Sequence, residues 1–292
     1  MSRDLLTVLG RGDLIVGDGA MGTMLQSLGL PAGALPEAWN ADNPDAVRQV
    51  HRAYLDAGAM FLTTNTFGGN RPRLTEGGLA DRADDLNRLG AELARSVAGD
   101  AAWVAGSIGP TGQLMEPYGP LTVQEAEAIF AGQAGALARG GADFIKIETQ
   151  HDIEEACAAI RAAKAATGLP VFCSFAFNVR GRTMMGLRPE DAVQRAIEAG
   201  ADVVGANCGD GPAAVVAALE AMRQVTDLPL MAQSNAGIPQ MGHGAGDTLW
   251  DVTPEQMAEH AREFVALGAR VLAGCCGTGP AFIAAMRAAL VG

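Results

Sequence analysis

The amino-acid sequence predicts one α/β domain, residues 1–292, folded as a (β/α)8 TIM barrel. Eight short apolar runs alternate with helical patterns, which matches such a barrel in both count and length. Three helical segments end in AGA, GGA or LGA and lead directly into a strand, so the chain repeats one unit without a linker. An open doubly wound sheet is the alternative. Polar residues or glycine at the end of nearly every strand favour the barrel.

The eight predicted strands are rich in β-branched and apolar residues, and each closes in a turn containing Gly, Asn or Pro. In chain order they are LIVGDG from Leu14, MFLTTNTF from Met60, AWVAGSIGP from Ala102, DFIKIET from Asp143, PVFCSFAF from Pro170, DVVGANCG from Asp202, LPLMAQSNAG from Leu228 and RVLAGCCG from Arg270.

Helix starts are marked by a capping residue or by a proline suited to the first turn. Several helices end in Gly-Ala, where glycine can adopt the left-handed conformation that stops a helix. Two longer connections, residues 24–43 and 66–79, are candidates for loops that cover a substrate. The marked helices are 43–59 with Asn43 before Pro44, 121–142 with Thr122 and Glu125, 188–201, and 253–269 with Thr253 before Pro254.

Charge and composition exclude several classes of partner. The net charge is −12 and the sequence contains no cluster of Lys or Arg residues. We therefore expect neither nucleic acid nor an anionic membrane as a partner. The N-terminal residues lack the apolar core of a signal peptide, and no stretch approaches the ~20 apolar residues of a spanning helix. We therefore expect a cytoplasmic protein whose five cysteines are thiols.

Three cysteines end two of the predicted strands. Cys208 closes strand six, and the adjacent Cys275 and Cys276 close strand eight. Because these strands flank strand seven, the three sulfurs can converge at the barrel mouth. Three thiolates suit tetrahedral Zn2+ and leave a fourth position for water or substrate. Gly274 and Gly277 on either side would let the backbone turn sharply enough for neighbouring side chains to reach one ion.

Two other interpretations of the adjacent cysteines stay open. They can be small buried hydrophobic residues, or they can form a strained vicinal disulfide. The remaining cysteines, Cys157 and Cys173, lie in a helical pattern and in strand five, so we expect both in the core.

The stretch GDGAMG, residues 17–22, formally matches the dinucleotide pattern G-x-G-x-x-G. A nicotinamide-dependent dehydrogenase is therefore one hypothesis, but Asp18 would place a carboxylate beside the pyrophosphate. In a barrel, Asp18 can instead accept hydrogen bonds from an ammonium group.

Other strand ends carry candidate substrate-binding side chains. Glu148 ends strand four, where it can hold a substrate amine. Alternation places Lys146 on the same face of that strand, so an ion pair between the two is the other interpretation. Asn207 and Asn235 also end strands and offer neutral hydrogen bonds.

Taken together, GDGAMGT, TNTFGGN, IET, GANCG and GCCGT resemble the homocysteine-binding barrel of the homocysteine S-methyltransferase family, which includes relatives of cobalamin-dependent methionine synthase and of betaine-homocysteine methyltransferase. The resemblance runs from about residue 14 to about residue 290. It implies zinc ligands at Cys208, Cys275 and Cys276, homocysteine bound by Asp18 and Glu148, and backbone contacts from Gly19 and Ala20.

The resemblance implies a zinc-dependent methyltransferase that converts homocysteine to methionine, with Glu148 counted beside the three cysteines as catalytic. A free thiol with a pKa of ~8.5 is mostly protonated at neutral pH and is a poor nucleophile. Zinc would remove the proton, and three thiolate ligands would keep electron density on the bound sulfur.

The methyl donor is the open part of this hypothesis. Betaine is disfavoured, because aromatic residues make up only 5% of the chain and Thr149 follows Glu148 where betaine-using relatives carry tyrosine. The 292 residues hold no folate, cobalamin or activation module. We therefore expect methylcobalamin on a separate corrinoid protein, or a small sulfonium such as S-methylmethionine. A non-catalytic barrel that binds a corrinoid protein or an amino acid is the alternative.

Overall fold

The computed structural model describes residues 4–238, 240–241 and 248–291. All eight predicted strands are present and lie parallel, and a short antiparallel hairpin follows the seventh. The strands are β1 (Ile15–Val16), β2 (Phe61–Thr63), β3 (Trp103–Ile108), β4 (Phe144–Gln150), β5 (Val171–Phe175), β6 (Val203–Cys208), β7 (Leu230–Ser234), the hairpin strands β8 (Gln240–Met241) and β9 (Thr248–Leu249), and β10 (Ala269–Gly274).

The parallel sheet curls into a nearly closed barrel. Its strands follow one another in the order β1-β10-β7-β6-β5-β4-β3-β2. Across the seam between β1 and β2, the Met60 N–H donates to the Val16 carbonyl at 2.7 Å. The predicted (β/α)8 class is therefore confirmed.

Helices cover the outside of the barrel. Within the described residues, none is long and apolar enough to cross a bilayer. They are α1 (Leu5–Gly10), α2 (Met21–Ser27), α3 (Trp39–Asp42), α4 (Pro44–Asp56), α5 (Arg71–Thr75), α6 (Ala83–Ala98), α7 (Val123–Arg139), α8 (Ile153–Thr167), α9 (Pro189–Glu198), α10 (Pro212–Arg223), α11 (Pro254–Ala266) and α12 (Pro280–Val291), with 3-10 turns at Pro36–Ala38 and Ala80–Arg82.

The predicted helix caps are largely present. Thr122 and Thr253 each form a capping box with the residue three positions on. Asn43 occupies the cap position of α4 but its side chain makes no capping bond, so Pro44 alone marks that start. Glycines at four helix-to-strand junctions adopt positive φ, as the Gly-Ala endings predict: Gly58, Gly141, Gly200 and Gly268.

The core has an aromatic floor inside the barrel. The Phe144 ring contacts the rings of Phe61 and Phe172, with centroids 5.5 and 4.5 Å apart. Leu5 and Leu9 of α1 pack in the same cluster and close the N-terminal end of the barrel. Polar chemistry inside the barrel is therefore confined to the layer above these rings, toward the C-terminal ends of the strands.

Candidate active site

The structure brings the three predicted ligand cysteines together. The sulfurs of Cys208, Cys275 and Cys276 all lie within 4.8 Å of one another. Their strands β6 and β10 both pair with β7, and the Cys275 N–H donates to the Ser234 carbonyl at the end of β7 at 2.8 Å. All five cysteines are free thiols, so the structure holds no vicinal disulfide, and Cys157 and Cys173 lie in the core as predicted.

Unusual backbone geometry aims these sulfurs at one point. Cys208 has φ = 56°, one of two non-glycine residues with positive φ in the described chain. That conformation costs a side-chain-bearing residue about 1–2 kcal/mol. Gly277 turns the chain after the pair with φ = 78°. Gly274 is needed for close approach, because a Cβ there would lie 2.0 Å from the Thr278 hydroxyl.

The three thiols form one hydrogen-bonded group. The pKa of Cys208 is lowered because the thiols of Cys275 and Cys276 donate to its sulfur, as do the Gly209 N–H and the Asn235 side chain. The pKa values of Cys275 and Cys276 are raised, because both thiols hydrogen-bond to Cys208 and because partial loss of solvation disfavours their thiolate forms. The group therefore stabilises one thiolate before the others lose their protons, and metal binding would release the remaining protons.

A cavity of about 420 Å³ opens beside the cysteines at the barrel mouth. Both predicted covering loops contribute to its wall, the first through Glu37 and the second through Phe67 and Gly68. Its inner wall combines the cysteine group with a polar set: Thr63, Lys146, Glu148, Cys208, Cys275 and Cys276.

Glu148 is buried in the cavity wall and already hydrogen-bonded. The Ser107 hydroxyl lies 2.6 Å from Oε1, and Gln233 Nε2 donates to Oε2 at 2.7 Å. Lys146 Nζ lies 3.3 Å from Oε2. The ion pair that strand alternation allowed is therefore present, and it lies in the candidate site.

Asp18 lies behind Thr63 instead of in the cavity wall. Its Oδ2 accepts the Thr63 N–H and its Oδ1 accepts the Thr63 hydroxyl, both at 2.6 Å. Burial raises the pKa of Asp18 to about 6, and the Lys146 ammonium opposes that rise. A carboxylate this poorly solvated is predisposed to a cationic partner.

The turn that carries Gly19 and Ala20 is bound to the turn after the cysteine pair. The Ala20 N–H donates to the Thr278 carbonyl at 3.0 Å, and the Tyr54 hydroxyl lies 2.9 Å from that same oxygen. A Cβ on Gly19 would lie 2.2 Å from it. The close packing of these two turns therefore explains why residue 19 is glycine, and no bound dinucleotide is needed to explain it.

Asn207 and Asn235 support the site from outside the cavity wall. Asn207 Oδ1 accepts from Thr149 N at 2.8 Å and from Ser174 at 2.7 Å, and its Nδ2 donates to the Thr149 hydroxyl. These bonds hold Thr149 at φ = 61°. Asn235 donates to the Gly209 carbonyl beside Cys208. Asn207 is occupied by protein groups, whereas Asn235 Oδ1 is buried without a hydrogen-bond partner among the described residues. Direct contact of either residue with substrate stays a prediction.

Sequence reasoning did not single out three polar residues that contact the carboxylates. Thr63, Ser107 and Gln233 face Asp18 and Glu148 from three different strands. Their signal is a polar residue within an otherwise apolar strand, which alone does not tell an inward from an outward side chain. His243, in the glycine-rich stretch QMGHGAGD, lies outside the described residues.

The fold and this mouth define a (β/α)8 barrel with a group of three thiols at the C-terminal ends of its strands. The sequence model of the homocysteine S-methyltransferase family matches residues 15–290. The chain belongs to this family, so the predicted resemblance is confirmed and the dehydrogenase hypothesis is set aside.

Relatives and solved structures agree with that assignment. The chain is 32% identical to the methionine synthase of Mycobacterium tuberculosis over 305 aligned positions, 98% of this chain, and it spans about a quarter of that relative's length. Among solved structures it is similar to the homocysteine methyltransferase MmuM from Escherichia coli. The oxidized form has a TM-score of 0.81, 26% identity and coverage of 98% of this chain and 99% of that one. The metallated form has a TM-score of 0.81 at 25% identity, with coverage of 97% and 98%.

Proposed function

We propose that this protein is a zinc-dependent homocysteine S-methyltransferase that forms methionine. The observation that carries the proposal is the convergence of three cysteine sulfurs beside a cavity walled by a buried carboxylate. Membership of the family supplies the substrate class. A non-catalytic binding barrel would need neither the strained Cys208 nor a thiol group open to the cavity.

The donor set fits zinc. Zinc bonds to thiolate at about 2.3 Å, so three sulfurs around one tetrahedral ion lie about 3.8 Å apart. The observed group, within 4.8 Å, needs only a small contraction. Cys208, Cys275 and Cys276 would hold the ion and leave one position facing the cavity. When bound, zinc supplies the Lewis acidity that favours the thiolate form of an added thiol.

The chain's own groups would orient the amino-acid part of homocysteine. Glu148 lines the cavity and its carboxylate can accept from the substrate ammonium, while Asp18 adds negative charge behind Thr63. The backbone of the turn that carries Gly19 and Ala20 would receive the carboxylate through N–H groups other than that of Ala20, which already donates to Thr278. A cavity of about 420 Å³ suits a molecule of this size.

We propose a protein-borne corrinoid as the methyl donor. Exposed apolar side chains lie on the loops after β2, β3, β5 and β7, at the end of the barrel that carries the mouth, and an apolar rim there would serve as an interaction surface. A small sulfonium donor would not need an exposed apolar surface of this extent in order to bind. The rim residues are Phe67, Leu114, Tyr118, Val179, Met184 and Ile238.

Measurements of zinc content and of methionine formation test the proposed metal and the proposed reaction. We expect about one zinc per chain and methionine formation from homocysteine in the wild type. Cys208→Ala, Cys275→Ala and Cys276→Ala should each lose bound zinc and at least ~100-fold in rate, whereas Cys157→Ala in the core should keep both. Full activity in zinc-free protein would refute the proposal.

A donor screen tests the second part. Homocysteine is offered with a methylated corrinoid protein, free methylcobalamin, S-methylmethionine or betaine. Met184→Glu on the rim should slow transfer from the corrinoid protein and leave transfer from free methylcobalamin unchanged. Leu6→Glu, exposed at the opposite end of the barrel, is the control. Turnover with S-methylmethionine that ignores Met184→Glu would instead assign a small sulfonium donor.

A further inference from the structure

Lys146 is a buried cation within the candidate substrate site. Its side chain is 2% exposed, and it extends from the middle of β4 into the cavity wall. Below it, the Phe61 ring centroid lies 5.8 Å from Nζ. A buried ammonium is tolerated only when it is paired and hydrogen-bonded, so its partners show what it does.

All three protons of this ammonium have an acceptor. Nζ lies 3.0 Å from Thr63 Oγ1, 3.1 Å from Gln233 Oε1 and 3.3 Å from Glu148 Oε2. An ammonium has three donors and no acceptor. Lys146 therefore has no free donor for a substrate carboxylate, and it acts on the site through its neighbours.

Those neighbours connect Lys146 to both carboxylates. Because Thr63 Oγ1 accepts from Nζ, its own proton is directed to Asp18 Oδ1 at 2.6 Å. Gln233 accepts from Nζ through Oε1 and donates to Glu148 through Nε2 at 2.7 Å. One cation thus fixes the donor directions around two anions.

The net charge of this network matches a ligand that carries one positive charge. Asp18 and Glu148 contribute two negative charges and Lys146 one positive charge, so one negative charge remains beside the cavity. A single ammonium would neutralise it. Without Lys146, the two buried carboxylates would repel each other, and binding of a proton would compete with binding of the substrate cation.

We propose that Lys146 is a positioning residue that neutralises one of the two carboxylate charges and so tunes the site to the single ammonium of an amino-acid thiol. The inference rests on the proposed function for the identity of that thiol. It does not depend on the metal or on the methyl donor.

Kinetics of Lys146→Met give the first test. Besides Asp18 and Glu148, Tyr54 on α4 faces Asp18, and Glu37 and the three cysteines line the same cavity. We expect the KM for homocysteine at pH 7 to rise at least ~10-fold with a smaller change in kcat. The acidic limb of kcat/KM should move up by about one to two pH units, because the carboxylates then retain a proton.

A double variant distinguishes the effect of the lost Lys146 charge from a structural effect of the substitution. Lys146→Met with Glu148→Gln again leaves one negative charge, so the acidic limb should return toward its wild-type position even if affinity stays low. Lys164→Met, which breaks the ion pair with Asp202 outside the site, is the control and should leave the limb unmoved. A limb that stays in place in Lys146→Met would overturn the proposal.

A measurement on the wild type needs no variant to fold. The chain contains two lysines, Lys146 and Lys164, so 15N-lysine labelling gives two side-chain signals. We expect Lys146 to give a slowly exchanging ammonium signal at pH 7 that shifts when homocysteine is added, while Lys164 does not shift. A neutral amine at Lys146 would refute the inference. The ammonium signal itself needs no zinc, donor or homocysteine, so its absence would refute the inference independently of the proposed function; a present signal that does not shift would count against homocysteine as the ligand.

Discussion

Asp18 is a buried acid whose ionisation costs stability in the absence of substrate. Its pKa in the folded protein is about 6, against an ordinary value of 3.8. Because the folded-state value is the higher one, the contribution of Asp18 to stability is full below pH 3.8 and is lost as the pH rises through 6. A shift of this size corresponds to about 3 kcal/mol at neutral pH. The site thus contains a buried negative charge that a bound ammonium group can stabilise.

Asp18→Asn tests this assignment. We expect the ligand-free variant to be more stable than the wild type at pH 7 by up to about 3 kcal/mol in urea unfolding. The KM for homocysteine should rise about 10- to 100-fold, because a charge-assisted interaction is lost. The dependence of KM on pH near 6 should also disappear. Asp13→Asn, exposed on the same approach to β1, should change none of these quantities.

Asn207 supports the site by holding Thr149. Asn207→Ala would leave the Thr149 N–H and the Ser174 hydroxyl without their acceptor in a buried region. We expect a loss of about 2–4 kcal/mol in the free energy of unfolding, measured by chemical denaturation. Asn178→Ala removes comparable bonds from an exposed loop and should cost less than about 1 kcal/mol. Equal losses in the two variants would contradict the supporting role.

For single residues, the sequence predicts which chemical groups belong to the site better than it predicts what each side chain contacts. Cys208 and the Cys275–Cys276 pair could be placed at one mouth because the ends of parallel strands meet there. The positions of Thr63 and Gln233 could not be predicted, since their roles depend on which face of a short strand points inward. Asn207 illustrates the same limit: a strand-end amide predicts a polar contact but does not reveal whether its partner is a ligand or the backbone of Thr149.

Among the elements, the turns after β1 and β10 form one unit. Thr278, two residues after the cysteine pair, accepts from the Ala20 N–H and lies against Gly19. The substrate turn and the cysteine turn therefore hold each other in place. Helices and strands were predictable from periodicity and capping, as Thr122 and Thr253 show. This contact between two loops far apart in the chain has no local sequence signal.

Gly277→Ala tests the shape of the cysteine turn. The residue has φ = 78°, and a Cβ would lie 2.4 Å from the Trp250 ring. Gly12 has φ = 82° with nothing near its Cβ position, so Gly12→Ala shares the backbone strain without the clash. We expect Gly12→Ala to lose about 1–2 kcal/mol and to keep full metal content. Gly277→Ala should lose more stability and bind zinc more weakly in a chelator competition. Equal zinc affinity would show that the turn tolerates displacement.

For the whole molecule, the proposed metal joins parts of the barrel that are distant in sequence. Cys208 and the cysteine pair are separated by more than 60 residues, and β7 lies between their strands. The loop after β7 and the turn after β10 lie beside the same group, since the Ala236 N–H donates to the Cys276 carbonyl at 2.9 Å. An ion at this point would restrain three neighbouring strands at their C-terminal ends.

Removal of the metal should therefore lower global stability and not only activity. A ligand that binds the folded state alone stabilises it by about 2.7 kcal/mol at one hundred times its Kd. We expect dialysis against a chelator to lower the Tm by several degrees and added zinc to restore it. Cys208→Ser should show the low Tm with or without zinc, whereas Cys173→Ala should respond to zinc as the wild type does. If the Tm of the wild type ignores zinc while zinc still binds, the unfolded chain must bind zinc as tightly as the folded one, and the ion would then not stabilise the barrel.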